Sequence, residues 1–307
     1  MTEREALARD FESHRGRLQG VSYRMLGSLE EAQDAVQETW LRLERADVDG
    51  IANLGGWLRT TASRICLDML RARAARREDL TGEVLAGAAG QGAAAATGDP
   101  EREAVLAEEA GRALLVVLDA LSPDERVAFV LHDMLAVPFG EIAPVVGKTA
   151  ATAKKLASRA RQKVRGTPAV PAAELAGHRR VVEAFLAASR AGDVDAVLAV
   201  LAPGVLRRAD RAAVPEGRPA EVRGAAAVAR EIAAFGQNAA VAELALINGA
   251  PGLLIAPRGR LLLALAITVE GEKLTGYDLI ADPARLAALD LAALDLAVPG
   301  DYVGGSR

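Results

Sequence analysis

The stretch KTAATAKKLASRARQKVR, Lys148–Arg165, has no acidic residue and carries cations along its whole length. Wound as a helix, it turns Ala153, Leu156, Ala157, Ala160 and Val164 to one side. Lys154, Lys155, Ser158, Arg159 and Gln162 are left on the outside. Upstream, Phe139–Val146 reads as a short helix, and Gly147-Lys148-Thr149 reads as a turn. A helix, a glycine turn and a cationic helix make the helix-turn-helix pattern, whose second helix reads base edges with its N-terminal part. The residues for that task are Lys148, Thr149, Thr152, Lys154, Lys155, Ser158 and Arg159. Which of them read bases and which touch only phosphate stays open at this point. Pro144 removes an amide donor inside the preceding helix and should keep it short.

A second cationic stretch lies about eighty residues upstream. Trp57–Glu78, WLRTTASRICLDMLRARAARRE, bears Arg59, Arg64, Arg71, Arg73, Arg76 and Arg77. The whole chain has a formal net charge of -4, so its basic charge is local. Two cationic helices on a non-basic protein point to a nucleic acid touched at two places. Only 3% of residues are aromatic, which argues against an extended base-stacking platform.

With 307 residues, 51% of them hydrophobic and 25% charged, the chain has length for two or three domains. Cys66 is the single cysteine, so no internal disulfide forms; between Ile65 and Leu67 it reads as a buried structural thiol. The start, MTEREALARDFESH, lacks a signal-peptide apolar core, and Leu261–Val269 is too short to span a bilayer. The expectation is a cytoplasmic protein with no membrane partner. His14, His132 and His178 are scattered without metal-ligand spacing, so no metal and no cofactor is expected.

The chain divides by composition. Residues 1–79 read as helical, with a stripe of Phe11, Leu18, Val21, Met25 and Leu26. Ser28 and Glu31 read as a capping box for the next helix. There Val36, Trp40 and Leu43 form the seam, while Asp34, Gln37 and Glu38 share another face. A loop at 46–56 follows. Residues 80–98 are low-complexity glycine and alanine and read as a flexible linker. Residues 99–166 form a second helical block, opened by Asp99-Pro100-Glu101 and continued by a capping box at Ser122 and Glu125. Residues 167–173 form a proline- and alanine-rich linker. Residues 174–307 read as helices at 174–190, 194–201 and 224–235, then strands at 241–247, 252–256, 260–269 and 273–280. Turns fall at Asn248-Gly249, Arg258-Gly259 and Glu270-Gly271. The fold class is multidomain: two all-α domains and an α+β domain.

Three strings in order, GSLEEAQDAVQETWLRL (27–43), GGWLRTTASRICLDMLRARAARRE (55–78) and LSPDERVAFVLHDMLAVPFGEIAPVVGKTAATAKKLASRARQKVRG (121–166), resemble bacterial sigma factors of the extracytoplasmic-function group. The likeness covers about 5–166 and implies a region 2 helical bundle and a region 4 helix-turn-helix. Four strings of the third block, VVEAFLAASRAGDVDAVLAVLAP (181–203), VRGAAAVAREI (222–232), INGAPGLLI (247–255) and LIADPARLAAL (279–289), resemble the SnoaL-like fold. That implies a curved antiparallel sheet closed by helices around a pocket, regulating the sigma domains in cis.

The resemblance implies partners and roles. The partners are core RNA polymerase, through its β′ and β subunits, and promoter DNA. Asp34, Gln37 and Glu38 would dock on β′. Asn53, Trp57, Arg59, Arg64, Arg71 and Arg73 would hold the minus-ten element, with an unstacked base captured in the 46–56 loop. The Lys148–Arg159 surface would read the minus-thirty-five element. Asp210, Arg223, Tyr277 and Asp278 would stand near the C-terminal pocket, whose small-molecule ligand is unknown. No catalytic residue is expected, because His178 lies at the edge of the block that would need a histidine. The sequence departs from the group at Arg64, where asparagine is usual. It has DLTGEVLAGAAG (79–90) in place of a Trp-Leu-Pro-Glu-Pro string, and Asp210-Arg211-Ala212-Ala213-Val214 in place of an Asp-Gly-Gly-Gly-Lys turn. The rival readings are a helix-turn-helix regulator independent of core polymerase and a SnoaL-type enzyme with a DNA-binding N-terminus.

Overall fold

Apolar spacing and a few capping side chains set the elements of the chain. The computed structural model describes residues 3–83, 105–106 and 111–294. Their helices are α1 (Glu3–Leu26), α2 (Leu29–Leu43), α3 (Leu54–Glu83), α4 (Arg112–Leu118), α5 (Pro123–Phe129), α6 (Phe139–Val146), α7 (Ala150–Arg165), α8 (Ala172–Ala191), α9 (Val194–Val200), α10 (Ala225–Phe235) and α11 (Pro283–Ala287). The strands are β1 (Leu201–Ala209), β2 (Glu221–Arg223), β3 (Ala242–Ile247), β4 (Ala250–Ile255), β5 (Leu263–Glu270), β6 (Lys273–Ile280) and β7 (Leu291–Ala293). The expected helix start at Asp99-Pro100-Glu101 lies outside the described residues. So does most of the expected 80–98 linker, whose first four residues belong to α3.

The described residues fall into two units. The first gathers 3–83, 105–106 and 119–162. Helices α1, α2 and α3 close on Phe11, Leu18, Val36, Leu43, Leu58 and Ala62, with Trp40 and Trp57 packed against them. Each large apolar side chain fully buried there stabilises the unit by about 1.5–3 kcal/mol. Ser28 caps α2 by accepting from the Glu31 amide at 3.4 Å, but Glu31 does not return the bond; its carboxylate pairs with Arg73 of α3. Half of the expected capping box is thus given up to tie α2 to α3. At Ser122 the box is complete in both directions.

In the same unit α5 runs into a π-helical turn, Val130–Met134, and then α6. Pro144 sits inside α6, which ends two residues later. Gly147 then takes a left-handed conformation, φ 66°, which a side chain would resist, and reverses the chain into α7. The Thr149 hydroxyl accepts from the Thr152 amide at 3.2 Å and fixes the first turn of α7. Ala153, Leu156, Ala157, Ala160 and Val164 are buried, as the spacing predicts.

The second unit comprises 111–118 and 163–294. Its seven strands form one sheet in the order β2-β1-β6-β5-β4-β3-β7. The sheet is mixed, not wholly antiparallel: β1 lies parallel to β6. The reason is local. α9 ends at Val200 and the chain passes directly into β1, alongside and in the direction of β6. The sequence gives no strand signal there, because Pro203 and Gly204 interrupt it and the register shifts between Leu201 and Leu206. The Asn248-Gly249 turn joins β3 to β4 with positive φ at both residues, as a tight hairpin requires.

The sheet buries both faces. One face carries Ala242, Leu253, Ile255, Leu265, Ile267, Leu274 and Tyr277 against α8, α9 and α10. The other carries Ala245, Ile247, Leu254, Ala256, Ala264 and Ile280, and α4 supplies Ala113 and Val116 to it. Composition alone places residues 111–118 in the helix-turn-helix block; they pack on the sheet instead. The sequence RALLVVL explains this, since a seven-residue helix so apolar needs a wide surface to cover it. The fit is close: a Cβ on Gly259 would stand 2.7 Å from Leu115 Cδ1.

Candidate nucleic-acid interface

Four arginines of α3 are engaged within the first unit. Arg59 pairs with Glu141 of α6 at 2.6 Å. Arg64 donates to the Pro144 carbonyl at 3.1 and 3.3 Å. Arg71 pairs with Asp124 of α5 at 2.7 Å. Arg73 donates to the Leu26 carbonyl and pairs with Glu31. Asn53 accepts from the Gly56 amide at 2.9 Å and so caps α3, while Trp57 is half-buried beside the helical core. The first two of these arginines therefore reach the helix-turn-helix and the third reaches α5 before it, an arrangement that sequence spacing gives no means to foresee.

On α7 the cations are differently placed. Lys148, Lys154, Lys155 and Arg159 are exposed, as are Thr149 and Ser158, and Thr152 is half-buried. None of the four cations has an ion-pair partner among the described residues. Further along, Arg161 is tied to the buried Asp133, donating from Nε at 2.5 Å. The N-terminal half of α7 thus presents free positive charge, and its C-terminal half is anchored.

On α2, Asp34 and Gln37 are exposed and Glu38 is half-buried, with Glu38 bonded to Arg42 at 3.1 Å one turn on. Val36 and Leu43 are buried, and Trp40 packs on Phe11 with ring centroids 5.1 Å apart. Below these surfaces Cys66 is fully buried, and burial pushes its thiol up to about 12. Arg126 is almost fully buried, and its burial lowers its affinity for a proton while the neighbouring Asp119 raises it.

In the second unit a cavity of about 150 Å³ lies between α8, α10 and one sheet face. Of the four residues expected beside a pocket, Tyr277 lines it. Asp210 does not; its carboxylate accepts from the amides of Ala213, Ala281 and Asp282 at 2.9–3.0 Å and holds two loops together. Arg223 is an exposed residue of the edge strand β2, paired loosely with Glu221 at 3.6 Å. Asp278 follows Tyr277 on β6, so the strand's alternation sends it to the opposite face. The polar residues that do line the cavity are Ser189, Arg207, Arg218 and Glu231. Arg207 sits on β1, the strand without a sequence signal.

Family comparisons agree with this arrangement. A family model for sigma-70 region 2 matches residues 11–77, which covers most of α1 through α3. A model for sigma-70 region 4 matches residues 111–164, covering α4 through α7. The chain is 42% identical over 253 residues to the ECF RNA polymerase sigma factor SigJ of Mycobacterium tuberculosis, covering 79% of each protein.

The chain belongs to the ECF sigma factor family.

It is also 34% identical over 290 residues to a probable ECF sigma factor, SigI, of the same species, covering 94% of this chain and 98% of that one. The crystal structure of M. tuberculosis SigJ matches with 31% identity over 91% of this chain and 98% of that chain, at a TM-score of 0.41. As a sigma factor the protein binds core RNA polymerase and promoter DNA and directs transcription initiation; it is not an enzyme. No helix among the described residues is long and apolar enough to cross a membrane. Among the described residues no group of three or more His, Cys, Asp or Glu side chains is arranged to hold a metal ion.

Proposed function

We propose that this sigma factor docks on the β′ subunit of core polymerase through Asp34, Gln37 and Glu38. It engages the minus-ten element with Asn53, Trp57, Arg59, Arg64, Arg71 and Arg73, and the minus-thirty-five element with the N-terminal half of α7. Residues 1–79 and 99–166 act as the two sigma domains, and the block from 174 onward tunes them in cis. The observation that carries this reading is the row of exposed cations on α7, without ion-pair partners among the described residues, standing behind a glycine turn where a recognition helix meets the major groove. Support for cis tuning comes from α4. It falls inside the region 4 match, yet its apolar face is buried on the C-terminal sheet. The coupling would carry about 1–3 kcal/mol, a change of roughly 5–150-fold in promoter output.

In vitro transcription with core polymerase tests the whole reading. Glu38→Lys should weaken association with core while leaving helicity and melting unchanged; undiminished core affinity would remove the docking assignment. Truncation after Gly166 should change promoter output, and identical output from both forms would reduce the C-terminal block to a passenger.

A further inference from the structure

The cavity in the second unit has the features of a ligand site. Its walls are mainly apolar, with Phe185, Leu253, Ile255, Leu265 and Leu279 among them. At about 150 Å³ it matches in size the engineered apolar cavities that accept a benzene molecule. Of the polar lining, Ser189 donates to the Phe185 carbonyl at 2.7 Å and Arg218 is engaged in an interaction of its own, which leaves two polar features. Arg207 and Glu231 neutralise each other through a fork of three bonds at 2.6, 2.8 and 3.0 Å, and a further Arg207 nitrogen donates to the Pro219 carbonyl. Tyr277 is 6% exposed, and its hydroxyl has no hydrogen-bond partner among the described residues. The hydroxyl is not sealed off from solvent, so it is a donor that water or a bound acceptor can satisfy.

We propose that this cavity binds a small neutral molecule, an apolar body about the size of one six-membered ring with a carbonyl-type acceptor for the Tyr277 hydroxyl, and that helix α4 senses its occupancy through the sheet. Neutrality follows from the Arg207–Glu231 pair. Neither charge is free, and a charged ligand would have to break a desolvated pair to gain a partner. Burial and the nearby Glu231 carboxylate hold the Tyr277 hydroxyl protonated, and so a donor.

The coupling follows from alternation along the strands. On β3, Ala242 lines the cavity, and the next residue, Glu243, turns to the other face. There its carboxylate caps α4, accepting from the Ala113 amide at 2.8 Å and the Arg112 amide at 3.3 Å. It also faces the Arg112 guanidinium at 3.5 Å. On β4, Leu253 and Ile255 line the cavity while Leu254 packs in the cluster that α4 joins. On β5, Leu263 and Leu265 line it while Ala264 packs in that cluster. One sheet layer therefore separates the ligand space from the first helix of the region 4 match. The inference rests on the cis-tuning reading and adds what would operate it.

The test uses the full-length chain without polymerase. Cyclohexanone, its acceptor-free isostere methylenecyclohexane, and the anion cyclohexanecarboxylate are titrated by ligand-observed NMR, with amide hydrogen exchange of residues 111–118 as the second readout. Cyclohexanone should bind about 2–10-fold more tightly than methylenecyclohexane, the worth of one hydrogen bond, and the carboxylate should bind worst. Tyr277→Phe should abolish the preference for the ketone but keep binding of methylenecyclohexane, which reports an intact cavity. Saturation with cyclohexanone should slow exchange across 111–118, and Glu243→Gln should keep the binding and lose the slowing. No binding of any probe up to its solubility limit, a ketone preference that survives Tyr277→Phe, or a preference for the anion overturns the ligand assignment. Binding with unchanged exchange at 111–118 overturns the coupling. Because both readouts omit polymerase, failure here is distinct from failure of the truncation experiment in transcription.

Discussion

The two cationic helices α3 and α7 look alike in the sequence and differ in the fold. On α7 the cations of the first turns face solvent with no ion-pair partner among the described residues; on α3, Arg59, Arg64 and Arg71 are already held by Glu141, the Pro144 carbonyl and Asp124. A free cation offers DNA its full charge. A paired one must first exchange a carboxylate or carbonyl for a phosphate, so its net gain is smaller. Two cationic helices are therefore unequally ready to bind, and only the three-dimensional partners reveal which cations are engaged.

The largest effect should come from α7. In holoenzyme, replacing Lys154 and Lys155 together with alanine should cost more than about tenfold in promoter affinity at moderate salt. The slope of log affinity against log salt should fall by about 0.9 for each phosphate left without its lysine. Filter binding or fluorescence anisotropy across a salt series reads both quantities. An unchanged slope would erase the contrast between the helices.

A smaller effect is expected at the partners of α3. Asp124→Ala and Glu141→Ala each remove one partly exposed ion pair, worth about 1 kcal/mol or less. Together they should speed hydrogen exchange in α5 and α6 in low salt, and much less in high salt, where such pairs are already screened. Promoter affinity in holoenzyme should hold or rise slightly, since the arginines are freed. A loss of affinity would mean that the carboxylates themselves belong to the DNA-bound form.

The smallest effect concerns the core beneath α3. The Cys66 thiol has its pKa raised from 9.0 to about 12 by burial, so folding favours the neutral form. Its contribution to stability is whole below pH 9 and is lost progressively as pH rises from 9 toward 12. Thermal melts across that window should fall more steeply for the native chain than for Cys66→Ala. Iodoacetamide should leave the native thiol unmodified at pH 8, on a timescale that labels it in denaturant. Ready labelling of the folded protein would contradict the burial.

Local signals made much of this legible. The α6 boundaries, the buried stripe of α7 and the capping box at Ser122 depend on neighbours within one or two helical turns, and sequence spacing reports such neighbours directly. Four strands and their turns were visible for the same reason. What stayed hidden depends on distant partners. Glu31 leaves its own helix cap for Arg73, forty-two residues away. Asp210 resembled a pocket acid and is a loop staple, because the amides that bind it lie some seventy residues downstream. Arg207, which carries no signal in the sequence, is buried, because Glu231, twenty-four residues away, is there to neutralise it.

The bond between α4 and Glu243 has a temporal side. Ala113 and its capping carboxylate are separated by 130 residues. At ribosomal rates that interval takes roughly 7–26 s to synthesise. For that time the nascent chain carries the first helix of its region 4 without the strand that caps it, while α1, α2 and α3 already have the whole Phe11, Leu18, Val36, Leu43, Leu58 and Ala62 cluster. Each newly made molecule thus passes through a period in which the cluster of α1, α2 and α3 can close and α4 cannot yet be capped, and it ends only when β3 leaves the ribosome.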